Sequence, residues 1–169
     1  MDLAALQQHL DDAFDQALVY HGYTDYMRDY EMIIYQPVDP RVGIAPVHLR
    51  YLFRHCVEAH VKTALRRDIW RDSLDERLLG DPASHEIDGF AWGVKWQNLY
   101  PGAKIIHDSE RARTWAEDLG NDVHEVRFES NAHDITLVFS DLQVTTVEPG
   151  FAPFKIEPDE NPAIGNTSA

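Results

Sequence analysis

A chain of 169 residues in which 44% are hydrophobic, with four Trp, seven Tyr and seven Phe, fits one globular domain and excludes a disordered polymer. Twenty-nine acidic residues against 15 basic ones give a net charge of −14. That field repels phosphate backbones and anionic lipid, so neither nucleic acid nor a membrane surface is expected as a partner.

The single cysteine, Cys56, can form no internal disulfide. The start, MDLAALQQHLDDAF, lacks the basic and unbroken apolar segments of a signal peptide, and no run approaches the roughly 20 apolar residues of a membrane span. A cytoplasmic location is therefore expected.

From the N-terminus, Leu3, Leu6, Leu10, Phe14, Ala17 and Leu18 recur at helical spacing. They predict an amphipathic helix over 3–19, capped by Asp2 and closed by Gly22. A strand follows over 27–36, ending at Pro37. The stretch VHLRYLFRHCVEAHVKT, 47–63, then alternates. Val47, Leu49, Tyr51, Phe53 and His55 share an apolar face, and His48, Arg50, Arg54, Glu58, His60 and Lys62 lie on the other. It predicts one long strand, or a bent pair, in the middle of an antiparallel sheet. On that parity Phe53 is core, and Arg50 is a surface residue whose loss should cost little.

A second helix is expected over 67–79, with Ile69, Trp70, Leu74 and Leu78 inward and Gly80 after it. FAWGVKWQ, 90–97, reads as a strand, and AKIIH as a shorter one beyond the Pro101-Gly102 turn. Asp108 is the expected cap of a third helix, with Ala112, Trp115, Ala116 and Leu119 inward and Gly120 at its end. Strands over 123–129, 134–140 and 142–147 follow, with a turn at SNAH and a bend at Ser140-Asp141. These elements predict an α+β fold: a single domain over 1–155 whose antiparallel β-sheet carries about three packed helices, then a disordered tail over 156–169.

Chemistry-bearing residues are sparse. Cys56, Glu58 and His60 recur at i, i+2, i+4, a spacing that could bring two ligands to one metal, but it equally describes a polar strand face balanced by Arg54 and Lys62. No metal, cofactor or catalytic residue is assigned. His55 reads as a hydrogen-bonded core histidine. The chain has no phosphate loop, Gly-x-Gly-x-x-Gly or Gly-x-Ser-x-Gly. Tyr26, Tyr30, Trp92 and Trp96 are candidates to line a small-ligand pocket. Residues 1–27 hold five Asp and no Lys or Arg. Of these, Asp11, Asp12 and Asp15 lie off the apolar stripe and are candidates to meet a basic protein partner, although acidic charge also serves simply to keep a protein soluble.

The segments ALVYHGYTDYMRDYEMIIY, LRYLFRHCVEAHV, DGFAWGVKWQNLYPGAK and NAHDITLVFSDLQVTTVEPGFAPF resemble the YxiG-like domain, a family of small bacterial proteins common in actinobacteria. The resemblance covers about 1–155. It carries no catalytic residues across. Its namesake's neighbourhood of contact-dependent toxin and immunity genes implies an immunity-like role. The expectation is thus a binding module, an immunity-type inhibitor of a basic toxin. The alternative is a small enzyme or metal-binding domain centred on Cys56, Glu58 and His60.

Overall fold

The computed structural model describes residues 2–37, 41, 43–65, 67, 97–148 and 150–151. All but the first residue of the expected second helix (67–79), most of the strand over 90–97, and the tail over 156–169 lie outside the described residues. In chain order the elements are α1 (Leu3–Asp12), β1 (Ala17–Thr24), β2 (Asp29–Gln36), β3 (Val47–Arg54), β4 (Glu58–Thr63), β5 (Gln97–Asn98), β6 (Gly102–Ile105), α2 (Glu110–Leu119), β7 (His124–Glu129), β8 (His133–Phe139) and β9 (Asp141–Val147).

The strands form two antiparallel sheets, β5-β1-β2-β3-β9 and β4-β8-β7-β6. This corrects the expected fold class. Among the described residues the domain is mostly β, nine strands in two sheets with two ten-residue helices, not one sheet carrying three helices. The reason lies at two bends. The chain leaves the first sheet after Arg54 and enters the second at Glu58, and it returns at Ser140 between β8 and β9. The bends are tied together, since Ser140 N–H donates to the Arg54 carbonyl (3.0 Å) and Val57 N–H to that of Val138 (2.9 Å). The stretch over 47–63 is therefore a bent pair. His55 takes a left-handed conformation (φ 50°) at the break and is exposed, not core.

The first helix is also shorter than expected. It stops at Asp12, and Ala17–Thr24 is strand β1, paired with β2 from Ala17↔Tyr35 to Thr24↔Asp29. A register irregularity between Leu18 and Tyr20 puts Ala17 and Leu18 both in buried positions, which imitates helical spacing. Gly22 is no helix cap. It sits in mid-strand beneath the Tyr20 ring, where an added Cβ would come within 2.6 Å of the hydroxyl oxygen. Asp2 holds the N-cap position of α1 without a side-chain cap bond. In α2 the cap is Ser109, one residue past the expected Asp108, accepting from Ala112 N–H at 3.0 Å. Gly120 closes the helix in the left-handed region.

The core lies between the sheets. Tyr51 and Phe53 of β3 point into it, as their parity predicts, and meet Phe128 and Phe139 from the second sheet. The Phe53 ring stands edge-on to both, at 5.7 Å and 4.9 Å between centres. Leu6 and Leu10 of α1 enter the same cluster, and Tyr51 Oη donates to the His9 carbonyl. His21 of β1 and His133 of β8 also meet across the sheets, edge to face at 5.8 Å. Burial holds both imidazoles below their ordinary value, and the charge of His133 lowers His21 further. Among the described residues no helix is long and apolar enough to cross a membrane.

The outer face of the first sheet holds a buried ion pair. Glu31, with no exposed surface, accepts from Arg50 Nε at 2.6 Å, and the Arg50 guanidinium lies under the Phe151 ring, 5.6 Å from its centre. Arg50 is thus not a free surface residue. Phe53→Ala should destabilise by about 3–5 kcal/mol through the cavity it leaves. Arg50→Ala should cost about 3 kcal/mol, because Glu31 would be left charged and unpaired. Urea unfolding checks both, and an Arg50→Ala loss below about 1 kcal/mol would refute the pair's role.

Candidate functional site

Two regions stand out once the fold is drawn: the C-terminal end of α1 and the corner where the chain changes sheets. At the first, Asp11, Asp12 and Asp15 are all exposed. Asp11 and Asp12 accept from the side-chain amides of Gln7 and Gln8, one turn earlier, at 2.7 and 2.8 Å. Asp15, in the left-handed region (φ 60°), accepts from Asn98 Nδ2 at 2.8 Å. No Lys, Arg or His among the described residues forms an ion pair with any of the three. Several acids at the sheets differ. Asp29, Glu31, Glu58, Glu125, Glu129 and Asp134 each have a basic partner. Asp11 and Asp12 also occupy the last turn of their helix, where the backbone dipole disfavours negative charge.

The bend at His55 separates the residues of the Cys56, Glu58 and His60 stripe. Cys56 is turned into the core at 4% exposure, and its thiol donates to the Glu58 carbonyl at 3.2 Å. Burial pushes that thiol up to about 12. Glu58 turns outward to α2. Its Oε1 accepts from the Trp115 indole N–H at 2.7 Å, its Oε2 contacts His60 Nε2 at 3.2 Å, and Arg111 Nη1 lies 3.6 Å away. These contacts, the indole bond foremost, hold the Glu58 carboxyl below its ordinary value. Arg111 also reaches the buried Glu125, whose other oxygen accepts from Ser109, so one guanidinium joins α2 to both β4 and β7. Among the described residues no group of three or more His, Cys, Asp and Glu could hold a metal ion.

The corner itself forms an open cavity of about 540 Å³. The β1–β2 turn supplies Met27 and Arg28, the β3–β4 bend His55 to Val57, the end of α2 Trp115 and Leu119, and the β8–β9 bend Ser140. Three successive turn residues, Asp25, Tyr26 and Met27, hold left-handed conformations (φ 47°, 63° and 63°). Non-glycine residues rarely adopt these, and such strain persists only where the surroundings impose it. Here they do. Cys56 N–H donates to the Arg28 carbonyl (2.9 Å), and His55 N–H donates to the carboxylate of Asp29, which is 1% exposed (2.9 Å). Burial alone would raise the Asp29 carboxyl, but the Arg28 guanidinium and the His55 N–H outweigh it and hold it low. The Glu58 bond to the indole fixes Trp115 as one wall. His55 Nδ1 and Ser140 Oγ lie 2.8 Å apart. A Ser–His pair suggests acyl transfer, but the neighbouring carboxylate is spent on the His55 backbone and not on its ring, so the group that would orient a catalytic imidazole is missing among the described residues.

The aromatic candidates are placed differently. Tyr26 is fully exposed at the turn, while Tyr30 is 3% exposed, faces the core and is hydrogen bonded to His21 at 2.7 Å. Burial raises its phenol. Trp92 and Trp96 lie outside the described residues. Sequence reasoning missed the corner, although two signals mark it: the alternation fails between His55 and Cys56, and Ser140-Asp141 reads as a bend.

Cys56 should resist Ellman's reagent at mild alkaline pH and react only on unfolding in denaturant. Stoichiometric labelling of the folded protein within minutes would contradict its placement.

The sequence model of the family described as YxiG-like protein matches residues 2–157. No curated protein matches the chain.

Proposed function

The chain belongs to the YxiG-like family, and we propose that it is a non-enzymatic cytoplasmic binding protein for a basic protein, acting as an immunity-type inhibitor where that protein is a toxin. The observation that carries the proposal is the unpaired acidic end of α1. Asp11, Asp12 and Asp15 are exposed and unmatched by any cation among the described residues, on a body of net charge −14. Two of them sit against their own helix dipole. Charge placed against local stability is expected where a partner supplies the missing cations. A basic partner would be drawn in by the long-range field and held by Lys or Arg at this end. The rival reading, an enzyme or metal domain on the Cys56, Glu58 and His60 stripe, has less support, since the thiol faces inward and the carboxylate is committed to α2.

Replacing Asp11, Asp12 and Asp15 together by Asn tests the proposal. Asn keeps the side-chain oxygens that accept from Gln7, Gln8 and Asn98, and it tolerates the left-handed backbone at position 15. Stability in urea should hold or rise by about 0.5 kcal/mol as the helix dipole is relieved. Association with a partner captured from the native host, or encoded beside the gene, should show a slower on-rate with weaker salt dependence and a nearly unchanged off-rate. An unchanged on-rate at low salt would reduce the acidic end to a solubility device.

A further inference from the structure

We propose that the corner cavity is a binding site for a small aromatic carboxylate. The inference is independent of the acidic helix. Its first support is size, since about 540 Å³ lies within the ~300–1,000 Å³ range of small-molecule sites. Its second is charge. Acids outnumber bases 29 to 15 in this chain, yet none of the residues lining the cavity is Asp or Glu. Asp29 lies behind the wall with its oxygens taken by Arg28 and the His55 N–H. The lining therefore disfavours a cation and accepts an anion.

Its third support is the set of unfilled donors. Arg28 gives Nε and Nη2 to Asp29 and keeps Nη1 without a partner among the described residues. Ser140 Oγ–H donates to the Arg54 carbonyl at 3.2 Å, so His55 Nδ1–H donates to Ser140 Oγ and the imidazole is held at the wall. The exposed Asn121 amide is the second donor. Two donors at one opening match the two oxygens of a carboxylate. The apolar half is supplied by Trp115, whose ring is fixed by Glu58, and by Met27 and Leu119, which are 70% and 45% exposed beside it. Large apolar side chains left in contact with water at a cavity mouth are what an aromatic ring would cover. The strained turn over Asp25–Met27 keeps Met27 and Arg28 at that mouth, so the site is formed before the ligand arrives.

The test uses the full chain, labelled with ¹⁵N, and three matched probes: phenylacetate, benzyl alcohol and benzylamine. Phenylacetate should bind saturably with a Kd of about 1 mM or below, as suits a ligand of about ten heavy atoms. It should shift the backbone amides of His55, Asn121 and Ser140 and the indole N–H of Trp115. Benzylamine should bind at least about tenfold more weakly, the factor carried by one charge-assisted hydrogen bond. Arg28→Gln should remove most of the preference for phenylacetate over benzyl alcohol. If that variant loses its fold because Asp29 is left unpaired, Asn121→Ala provides the same comparison with a smaller loss of preference. Leu119→Trp, at an exposed helix end, should fill the mouth and abolish binding of the carboxylate and the alcohol. Absence of saturable shifts at about 20 mM phenylacetate, shifts scattered away from the corner, or benzylamine binding as well as phenylacetate would each overturn the proposal.

Discussion

The structure depends on a carboxylate at its corner. Asp29 opens strand β2, is 1% exposed, and accepts from the backbone N–H of His55 and from the guanidinium of Arg28. The first bond pins the point at which β3 gives way to β4. Cys56 N–H to the Arg28 carbonyl pins the next residue, and Ser140 N–H to the Arg54 carbonyl ties in the second crossing. A buried charge is costly unless it is paired and hydrogen bonded. Here both conditions hold, and they hold only when the turn before β2 and the bend after β3 have come together, a bend to which the second crossing is tied. A single chain can therefore change sheets twice and enclose one core, with Phe53 at its centre.

Charge is distributed with the same logic. Acids facing the body are each matched by a base: Asp29 by Arg28, Glu31 by Arg50, Glu58 and Glu125 by Arg111, Asp134 by Arg127. At the end of α1, Asp11, Asp12 and Asp15 have no basic partner among the described residues. The corner cavity is a third environment, with no acidic side chain in its described lining and fronted by an arginine whose Nη1 has no partner among the described residues. On the two proposals made above, a strongly anionic protein offers one surface to a cationic partner and one recess to an anionic ligand.

Much of the strand content was legible because it rests on short-range patterns. The parity of Tyr51 and Phe53, the hairpin of β7 and β8, the bend at Ser140 and the Gly120 stop of α2 all follow from alternation or from a residue's conformational preference. The family was legible too, from whole segments. What misled was apolar spacing that two structures share. Phe14, Ala17 and Leu18 extend the stripe of α1 on paper, yet Phe14 is 48% exposed and the other two belong to an irregular β1. The division into two sheets was not legible, because it is set by contacts between Asp29, His55 and Ser140, which lie far apart in sequence. The corner site was hidden for the same reason. None of its residues forms a motif with its neighbours; Arg28, His55, Trp115 and Ser140 come from four elements and meet only at the crossing.

Replacing Asp29 by Ala tests this account most directly, followed by urea unfolding together with amide hydrogen exchange of His55, Cys56 and Ser140. If the carboxylate is the pin of the corner, stability should fall by about 3 kcal/mol or more, and protection at Cys56 and Ser140 should fall with it, since their bonds belong to the same closure. A loss below about 1 kcal/mol with protection retained at Cys56 and Ser140 would show that the two sheets hold their crossing without Asp29, and would contradict the account.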